Sequence, residues 1–261
     1  MRFQIRLEAK NGLGRDIPIN YQYPLSAAIY KILQSGDAEY AKFLHEKGYG
    51  KGYKFFTFSD LKLKFKRDGD RMRLLDPAVE FTVCFHLPEA SRTFVEGLFK
   101  SKEIVIADKK SGVAFNVQSI VAVRNPLQET EEREIVKIAT KPVSMIVTGP
   151  KNEKGNYDYK MPDEPEFIPG LIYGWRNKIH EAFDDETAQK AILMIEVDFF
   201  EKPYRSRLTH IKGGLTKVRG SINYKLHLTA ERRFLDLILN SGIGIYTAQG
   251  MGCLEVIEEL R

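Results

Sequence analysis

The stretch GIGIYTAQGMG at residues 242–252 places four glycines between an amphipathic helical segment and a hydrophobic strand. Its spacing matches neither the dinucleotide fingerprint GxGxxG nor the phosphate loop GxxxxGK, and its helix-then-strand order is the reverse of both. Binding of a nucleoside triphosphate here is therefore not expected. Glycine offers backbone with positive φ and room for a ligand to approach the amides, so the loop can hold an RNA phosphodiester chain. The alternative is a helix C-cap at Gly242 followed by a mobile hairpin.

The elements that precede this loop form two similar series. Alternation and apolar stripes predict, in the first half, strands near 2–9, 54–66, 71–75, 79–86, 102–107 and 114–124, with helices near 25–33, 38–46 and after Pro88. The second half has predicted strands near 134–139, 143–147, 191–200, 203–211, 215–227 and 252–257, with helices near 166–183 and 229–240. The sequence therefore predicts an α+β fold of two tandem ferredoxin-like (βαββαβ, RRM-like) units with antiparallel sheets.

A polar segment separates the two series. Residues 125–133 are charged and contain a proline, which is typical of a linker. We therefore expect an N-terminal domain over residues 1–126 and a C-terminal domain over residues 134–261.

Composition limits the class of protein. The chain has 261 residues, of which 43% are hydrophobic, so it can bury one sizeable core or two modest ones. Its formal charge of +5 suits a nucleic-acid partner and equally suits many ordinary soluble enzymes. Its apolar runs are too short to cross a bilayer, and apolar and polar residues alternate at its N-terminus instead of forming a signal-peptide core. We therefore expect a cytoplasmic protein without a membrane partner. Two cysteines and five histidines show no metal-ligand spacing. Neither a metal nor another cofactor is predicted.

The segment 217–227 is the predicted binding surface, because one parity of this strand is basic and polar while the other is apolar. The basic and polar parity consists of Lys217, Arg219, Ser221, Asn223, Lys225 and His227. Arg205 and Arg207 precede a Gly213-Gly214 turn and extend this surface, so RNA is expected to run from here to the glycine loop. The alternative is a solvated outer face of a sheet.

Several motifs together resemble one family. The loop, with Gly242, Gly244, Gly250 and Gly252 near the C-terminus, resembles the glycine-rich loop of the repeat-associated RNA-binding superfamily. Within it, the chain resembles the CRISPR-associated repeat-processing endoribonucleases, Cas protein family six. The matching segments are MRFQIRL (1–7), like the family's first strand, YQYPLSAAIY (21–30), like its first helix, and LHE (44–46) followed by KFFTFS (54–59), like its catalytic segment.

This resemblance implies a metal-independent endoribonuclease that cuts CRISPR repeat RNA in precursor transcripts, with the four glycines and Lys51 contacting RNA. It implies that His45 transfers a proton, that Tyr30 lies near the attacking 2′-hydroxyl and that Lys54 stabilises the transition state. The insertion GYGKGY (48–53) leaves open whether Lys47, Lys51 or Lys54 is the catalytic lysine. Tyr30 also suits a core aromatic, and His45 a cation at a helix C-terminus.

Two other functions stay open at this stage. The chain can be a non-catalytic subunit that binds repeat RNA within a CRISPR effector complex. A small-molecule enzyme on the same fold is a weaker alternative, because no nucleotide motif or paired acid and base supports it. The expected partners are precursor and processed repeat RNA, with other CRISPR-associated effector subunits as a further option, and the protein can be a monomer or a homodimer.

Overall fold

The structure, a computed structural model, describes residues 1–10, 15–200, 204–211 and 216–260. Two main antiparallel sheets dominate it, one formed by residues 2–123 and the other by residues 135–260. Each sheet is covered by helices from its own half of the chain. No described helix is long and apolar enough to span a bilayer.

The first half contains eight strands and three helices among its described residues. These are β1 (Arg2–Ala9), β2 (Asp16–Pro18), α1 (Gln22–Gly36), α2 (Ala38–Glu46), β3 (Phe56–Phe58), β4 (Phe65–Asp68), β5 (Arg71–Leu74), β6 (Ala78–Phe85), α3 (Pro88–Ser101), β7 (Glu103–Ala107) and β8 (Gly112–Val123). The main sheet has the order β3-β6-β1-β8-β7, and a small sheet β2-β5-β4 is added to it. Without β7, this is the strand order of a ferredoxin-like unit.

The second half repeats that arrangement. Its elements are β9 (Ile135–Pro142), α4 (Phe167–Ala182), α5 (Asp185–Lys190), β10 (Met194–Asp198), β11 (Arg205–Ile211), β12 (Thr216–Ile222), β13 (Lys225–Glu231), α6 (Arg232–Ser241), a 3₁₀ turn (Thr247–Gln249) and β14 (Leu254–Leu260). The main sheet has the order β10-β13-β9-β14, which corresponds to β3-β6-β1-β8 of the first half. The predicted α+β fold of two tandem ferredoxin-like units is confirmed.

Residue patterns explain these elements. In β1, Phe3, Ile5 and Leu7 alternate with polar residues and are buried against the helices. In α4, Leu171 and Trp175 lie four residues apart on the buried face, and the Trp175 indole donates a hydrogen bond to a carbonyl of α6. Period-2 and period-3.6 patterns therefore place strands and helices on opposite sides of each core.

The expected strand over 215–227 is wrong. β12 ends at Ile222 and β13 begins at Lys225, and these two strands belong to different sheets. Asn223 between them adopts a left-handed φ of 76°, a conformation that asparagine tolerates better than most residues. The basic residues of this segment therefore lie on two surfaces. The Gly213-Gly214 turn lies outside the described residues.

Three smaller expectations are also wrong. The strand expected near 54–66 is divided into β3 and β4, which belong to different sheets. Residues 143–147 form a buried connection with one isolated bridge at Ile146, and they are not a regular strand. The last helix begins at Arg232, because residues 229–231 complete β13.

The two halves meet next to the glycine loop, where β14, an edge strand of the second sheet, contacts the interior strands β1 and β6 of the first sheet. The Arg2 guanidinium on β1 donates hydrogen bonds to the Leu254 carbonyl on β14 and to the sulfur of Cys84 on β6. Cys84 and Cys253 are buried free thiols whose sulfurs lie 3.9 Å apart. These contacts fasten the last strand of the second half to the first sheet. The division into domains at residues 126 and 134 stays a prediction.

Candidate active site

A cleft of about 1800 Å³ lies between the helices of the two halves. One wall consists of α1, α2 and the connection to β3, and the opposite wall is α4 with the residues that precede it. The glycine loop contributes residues 244–249 to its lining. Five of the residues predicted from separate segments of the sequence line this one cleft. They are Tyr30, His45, Lys51, Lys54 and Gly244.

Tyr30 and His45 are in direct contact. The two rings meet edge to face, with centroids 5.0 Å apart and planes at 89°. Tyr30 also packs edge-on against Phe56 of β3, and it is half-buried, whereas His45 is exposed to the cleft. Burial raises the pKa of the Tyr30 hydroxyl, because the phenolate would lose hydration. Tyr30 is therefore a neutral hydroxyl held beside a solvent-accessible imidazole.

A tight loop returns Lys54 to the end of α2. Gly48, Gly50 and Gly52 have positive φ, and Tyr49 exchanges backbone hydrogen bonds with Tyr53 to close the turn. The Lys54 ammonium then donates a hydrogen bond of 2.9 Å to the backbone carbonyl of His45. Burial lowers the pKa of Lys54 below its ordinary value. Lys51 lies at the exposed tip of the same loop and has no such contact among the described residues.

The four glycines shape the loop itself. All of them have φ between 71° and 79°, a region that favours glycine. A Cβ on Gly244 would overlap the carbonyl of Val147, and a Cβ on Gly250 would overlap the ring of Phe58, so these positions lack room for any side chain. The amides of Gly242, Gly250 and Gly252 donate to carbonyls of the protein. The half-exposed segment 245–249 is therefore the part of the loop that is accessible from the cleft.

The first half holds this loop in place. Ser26, one helical turn before Tyr30 on α1, donates a hydrogen bond of 2.7 Å to the carbonyl of Ala248. Thr57 on β3 donates a hydrogen bond of 2.9 Å to the carbonyl of Met251. The loop and the Tyr30–His45 pair are therefore connected through hydrogen bonds from α1 and β3, although they lie far apart in the sequence.

The predicted basic residues of the second half divide into two groups. Lys217 and Arg219 are exposed on β12, and the Arg219 guanidinium donates a hydrogen bond of 3.0 Å to the Ser206 hydroxyl. Arg205 is exposed on β11. A small core lies beneath them. It joins Ile211 and Val218 of the hairpin to Met251 of the glycine loop, together with Met145 and Val147, so the β11–β12 hairpin adjoins the loop. None of these basic residues lines the cleft.

Arg207 and Lys225 are engaged elsewhere. The Arg207 guanidinium forms an ion pair with Asp60 of the first half, and the Tyr21 hydroxyl donates a hydrogen bond of 2.9 Å to the same carboxylate. Lys225 lies on β13, where its ammonium is 3.9 Å from Asp198 and 5.5 Å from the centre of the Phe200 ring. An RNA-binding role for these two residues stays a prediction.

One buried cation was missed by sequence reasoning. The Lys178 ammonium on α4 donates hydrogen bonds of 2.9 Å to the Ser241 carbonyl and 2.6 Å to the Gly242 carbonyl, at the start of the glycine loop. Burial lowers the pKa of Lys178 to about 7. A helix C-terminus favours a cation, so Lys178 caps α6 and anchors the loop. The available signal was its position between Trp175 and Ile179, on the apolar face of α4.

The remaining titratable groups near the cleft do not form a metal centre. Among residues 1–10, 15–200, 204–211 and 216–260, no three His, Cys, Asp or Glu side chains cluster in an arrangement suited to a metal ion. His86 is half-buried near the same interface, and its partial loss of hydration lowers its pKa to about 4.

Comparisons with known proteins agree with this architecture. Two family models match, CRISPR-associated protein Cas6, N-terminal, over residues 16–120, and CRISPR associated protein Cas6, C-terminal, over residues 123–256. A CRISPR-associated endoribonuclease Cas6 of Pyrococcus furiosus is 26% identical and spans 98% of this chain and 90% of its own length. CRISPR-associated endoribonuclease Cas6 1 of Methanocaldococcus jannaschii is 30% identical and spans 71% of this chain and 68% of its own.

Solved structures show the same fold. The product of a Cas6-related gene from Pyrococcus furiosus aligns over 100% of this chain and 99% of its own, with a TM-score of 0.78 and 22% identity. A RAMP protein that binds different RNA substrates aligns over 99% of this chain and 100% of its own, with a TM-score of 0.75 and 20% identity.

The fold and the site define a tandem ferredoxin-like protein whose glycine-rich loop borders a cleft between the two units. Because its family models match both halves, the chain belongs to the CRISPR-associated Cas6 family. The resemblance expected from the loop and its flanking motifs is confirmed.

Proposed function

We propose that this protein is a metal-independent endoribonuclease that cleaves CRISPR repeat RNA in precursor transcripts to give guide RNAs. The observation that carries the proposal is the convergence of Tyr30, His45 and Lys54 on one wall of a cleft bordered by the glycine loop. Membership of the Cas6 family supports it, as do relatives named CRISPR-associated endoribonucleases.

The proposed reaction uses the RNA's own 2′-hydroxyl as nucleophile. Its oxygen bonds to the adjacent phosphorus, the bond to the 5′-oxygen breaks, and the products carry a 2′,3′-cyclic phosphate and a 5′-hydroxyl. The nucleophile loses one proton and the leaving oxygen gains one. A histidine suits proton transfer near neutral pH, and His45 is the histidine that is open to the cleft.

Tyr30 and Lys54 have supporting roles in this scheme. The Tyr30 hydroxyl stays protonated because burial raises its pKa, so it can donate a hydrogen bond to an oxygen of the scissile nucleotide. The Lys54 ammonium offsets the charge that develops on the phosphorane oxygens. Its hydrogen bond to the His45 carbonyl favours Lys54 over Lys51 as the catalytic lysine.

We also propose a route for the RNA outside the cleavage site. Lys217, Arg219 and Arg205 on the hairpin can hold phosphates of the strand that passes the exposed loop segment 245–249. Lys51 then lies at the cleft margin on the side of Lys54. In this proposal the protein works in the cytoplasm on precursor RNA, without a cofactor.

The test is cleavage of repeat RNA in excess EDTA, with a substrate that has hydrogen in place of the 2′-hydroxyl just upstream of the cut. We expect one cut in EDTA, a cyclic phosphate on the product, and normal binding but no cleavage of the deoxy substrate. Strict magnesium dependence or cleavage of the deoxy substrate would contradict the mechanism. A non-catalytic repeat-RNA-binding subunit, the alternative function, would shift the RNA on a gel without cutting it.

A further inference from the structure

The wall of the cleft formed by α4 carries an exposed aromatic ring that the proposed chemistry does not use. Tyr173 is 71% exposed, and it lines the cleft together with Gly170, Gly174 and Asn177 of the same helix. Isolated exposed aromatics are common on protein surfaces. Tyr173 differs from these because it faces into the cleft and has a glycine beside it.

Gly174 has no structural reason to be glycine. A Cβ at this position would meet no atom within 4 Å, and its φ lies outside the left-handed region. Gly97 of α3 is a useful contrast, because a Cβ there would overlap the Ile32 carbonyl of α1, so close helix packing requires it. Glycine is a poor helix former, and position 174 lies in the middle of α4. Gly174 therefore leaves the backbone of α4 uncovered at this position.

We propose that Tyr173 is a stacking site for an unpaired nucleobase of the RNA, and that Gly174 lets the same nucleotide contact the backbone of α4. This inference rests on the proposed RNA substrate and specifies its form at this position. A base within a duplex is already stacked on both faces, whereas an unpaired base gains contact by stacking on an aromatic ring. The cleft also contains cations for the flanking phosphates, including Lys51, Lys54 and Lys151.

Affinity for RNA tests the stacking contact. The probe is the repeat RNA that copurifies with the protein, with deoxyribose at the mapped cut, or unmodified if the protein does not cut. Tyr173→Ala should weaken binding about five- to a hundredfold, while Tyr173→Phe, which keeps the ring, should bind as the wild type does. The slope of affinity against salt should not change, because no phosphate contact is lost. Phe99→Ala is the matched control, since Phe99 is 67% exposed on α3 outside the cleft.

Gly174→Ala tests the backbone contact, because it should change stability and RNA affinity in opposite directions. Alanine should raise the melting temperature, because it stabilises the helix, and should weaken RNA binding, because its methyl group occupies the space of the nucleotide. A purely structural role cannot produce both changes. Wild-type affinity in Tyr173→Ala would overturn the stacking site, and wild-type affinity in Gly174→Ala would overturn the backbone contact. Because binding is the readout, these outcomes are independent of whether the protein cleaves RNA.

Discussion

The ring of Tyr30 stands edge-on to the ring of His45, with centroids 5.0 Å apart and planes at 89°. This contact joins the last part of α1 to the end of α2, and it fixes the orientation of an imidazole that is otherwise open to the cleft. In the proposed reaction the two side chains act on the substrate as a pair, and their effects on rate can be separated by substitution.

His45→Ala should slow single-turnover cleavage by a factor on the order of 10² to 10⁴ with little change in RNA affinity, because proton transfer is expressed in the transition state. Stopped or quenched time courses under enzyme excess measure the rate, and filter binding measures affinity. His180→Ala is the control, since His180 lies 3.4 Å from Asp185 and does not line the cleft. Wild-type cleavage by His45→Ala would move the search to His210 and His227.

Tyr30→Phe removes only the hydroxyl and keeps the edge contacts with His45 and Phe56. We expect a rate loss of about tenfold, the worth of one hydrogen bond, with an unchanged melting temperature. Because burial raises the pKa of Tyr30, the loss should be the same across the neutral pH range. A lower melting temperature with an unchanged rate would instead identify Tyr30 as a core aromatic.

Lys54→Ala should reduce the cleavage rate by a factor on the order of 10² to 10³, with a modest loss of RNA affinity, because a cation beside the phosphate acts most strongly on the charged transition state. Lys51→Ala is the matched control from the same loop, and it should affect affinity more than rate. Single-turnover rates of both variants decide the assignment. The reverse order of effects would make Lys51 the catalytic lysine.

Lys217→Ala and Arg219→Ala should each reduce the slope of log affinity against log salt by about 0.7, as expected for one lost contact to a single-stranded phosphate. Titrations at several salt concentrations measure the slope. Unchanged slopes in both hairpin variants would place the RNA on another surface.

Arg207→Ala should lower the melting temperature, because it leaves the Asp60 carboxylate without its ion-pair partner at the interface of the halves.

Lys178 should make stability depend on pH. Its pKa is about 7 in the folded protein, below its ordinary value, so the unfolded chain binds the proton more tightly. The free energy of unfolding of the wild type, relative to Lys178→Met, should therefore be constant below pH 7 and increase between pH 7 and about 10. Urea unfolding of both proteins across this range measures the difference. A pH-independent difference would show that Lys178 has an ordinary pKa.

Much of the fold could be predicted from local patterns. The alternation of polar and apolar residues was sufficient to predict β1, and Pro88 was sufficient to predict the start of α3. The order of the elements was sufficient to predict two ferredoxin-like units. The break at Asn223 could not be predicted, because the alternation of polar and apolar residues continues across it in the same phase. Which sheet each strand joins depends on contacts between distant residues, and a local pattern does not contain them.

The candidate site shows the same limit. Tyr30, His45 and Lys54 could be selected only through motifs that resemble a family, since each residue has an ordinary structural explanation by itself. Lys178 was missed because a lysine in an amphipathic helix is expected on its exposed face, yet this one is 2% exposed. Its three acceptors belong to the end of α6 and the start of the glycine loop, more than sixty residues away along the chain.

The anchoring of the glycine loop by Ser26 and Thr57 has a consequence for synthesis on the ribosome. The N-terminal half, with Tyr30, His45 and Lys54, leaves the ribosome before the loop at residues 242–252. Domains generally fold as units in the order of translation. A nascent chain therefore carries Tyr30, His45 and Lys54 before the loop that borders them has been made, and the cleft forms only after residues 242–252 have left the ribosome and both halves have docked.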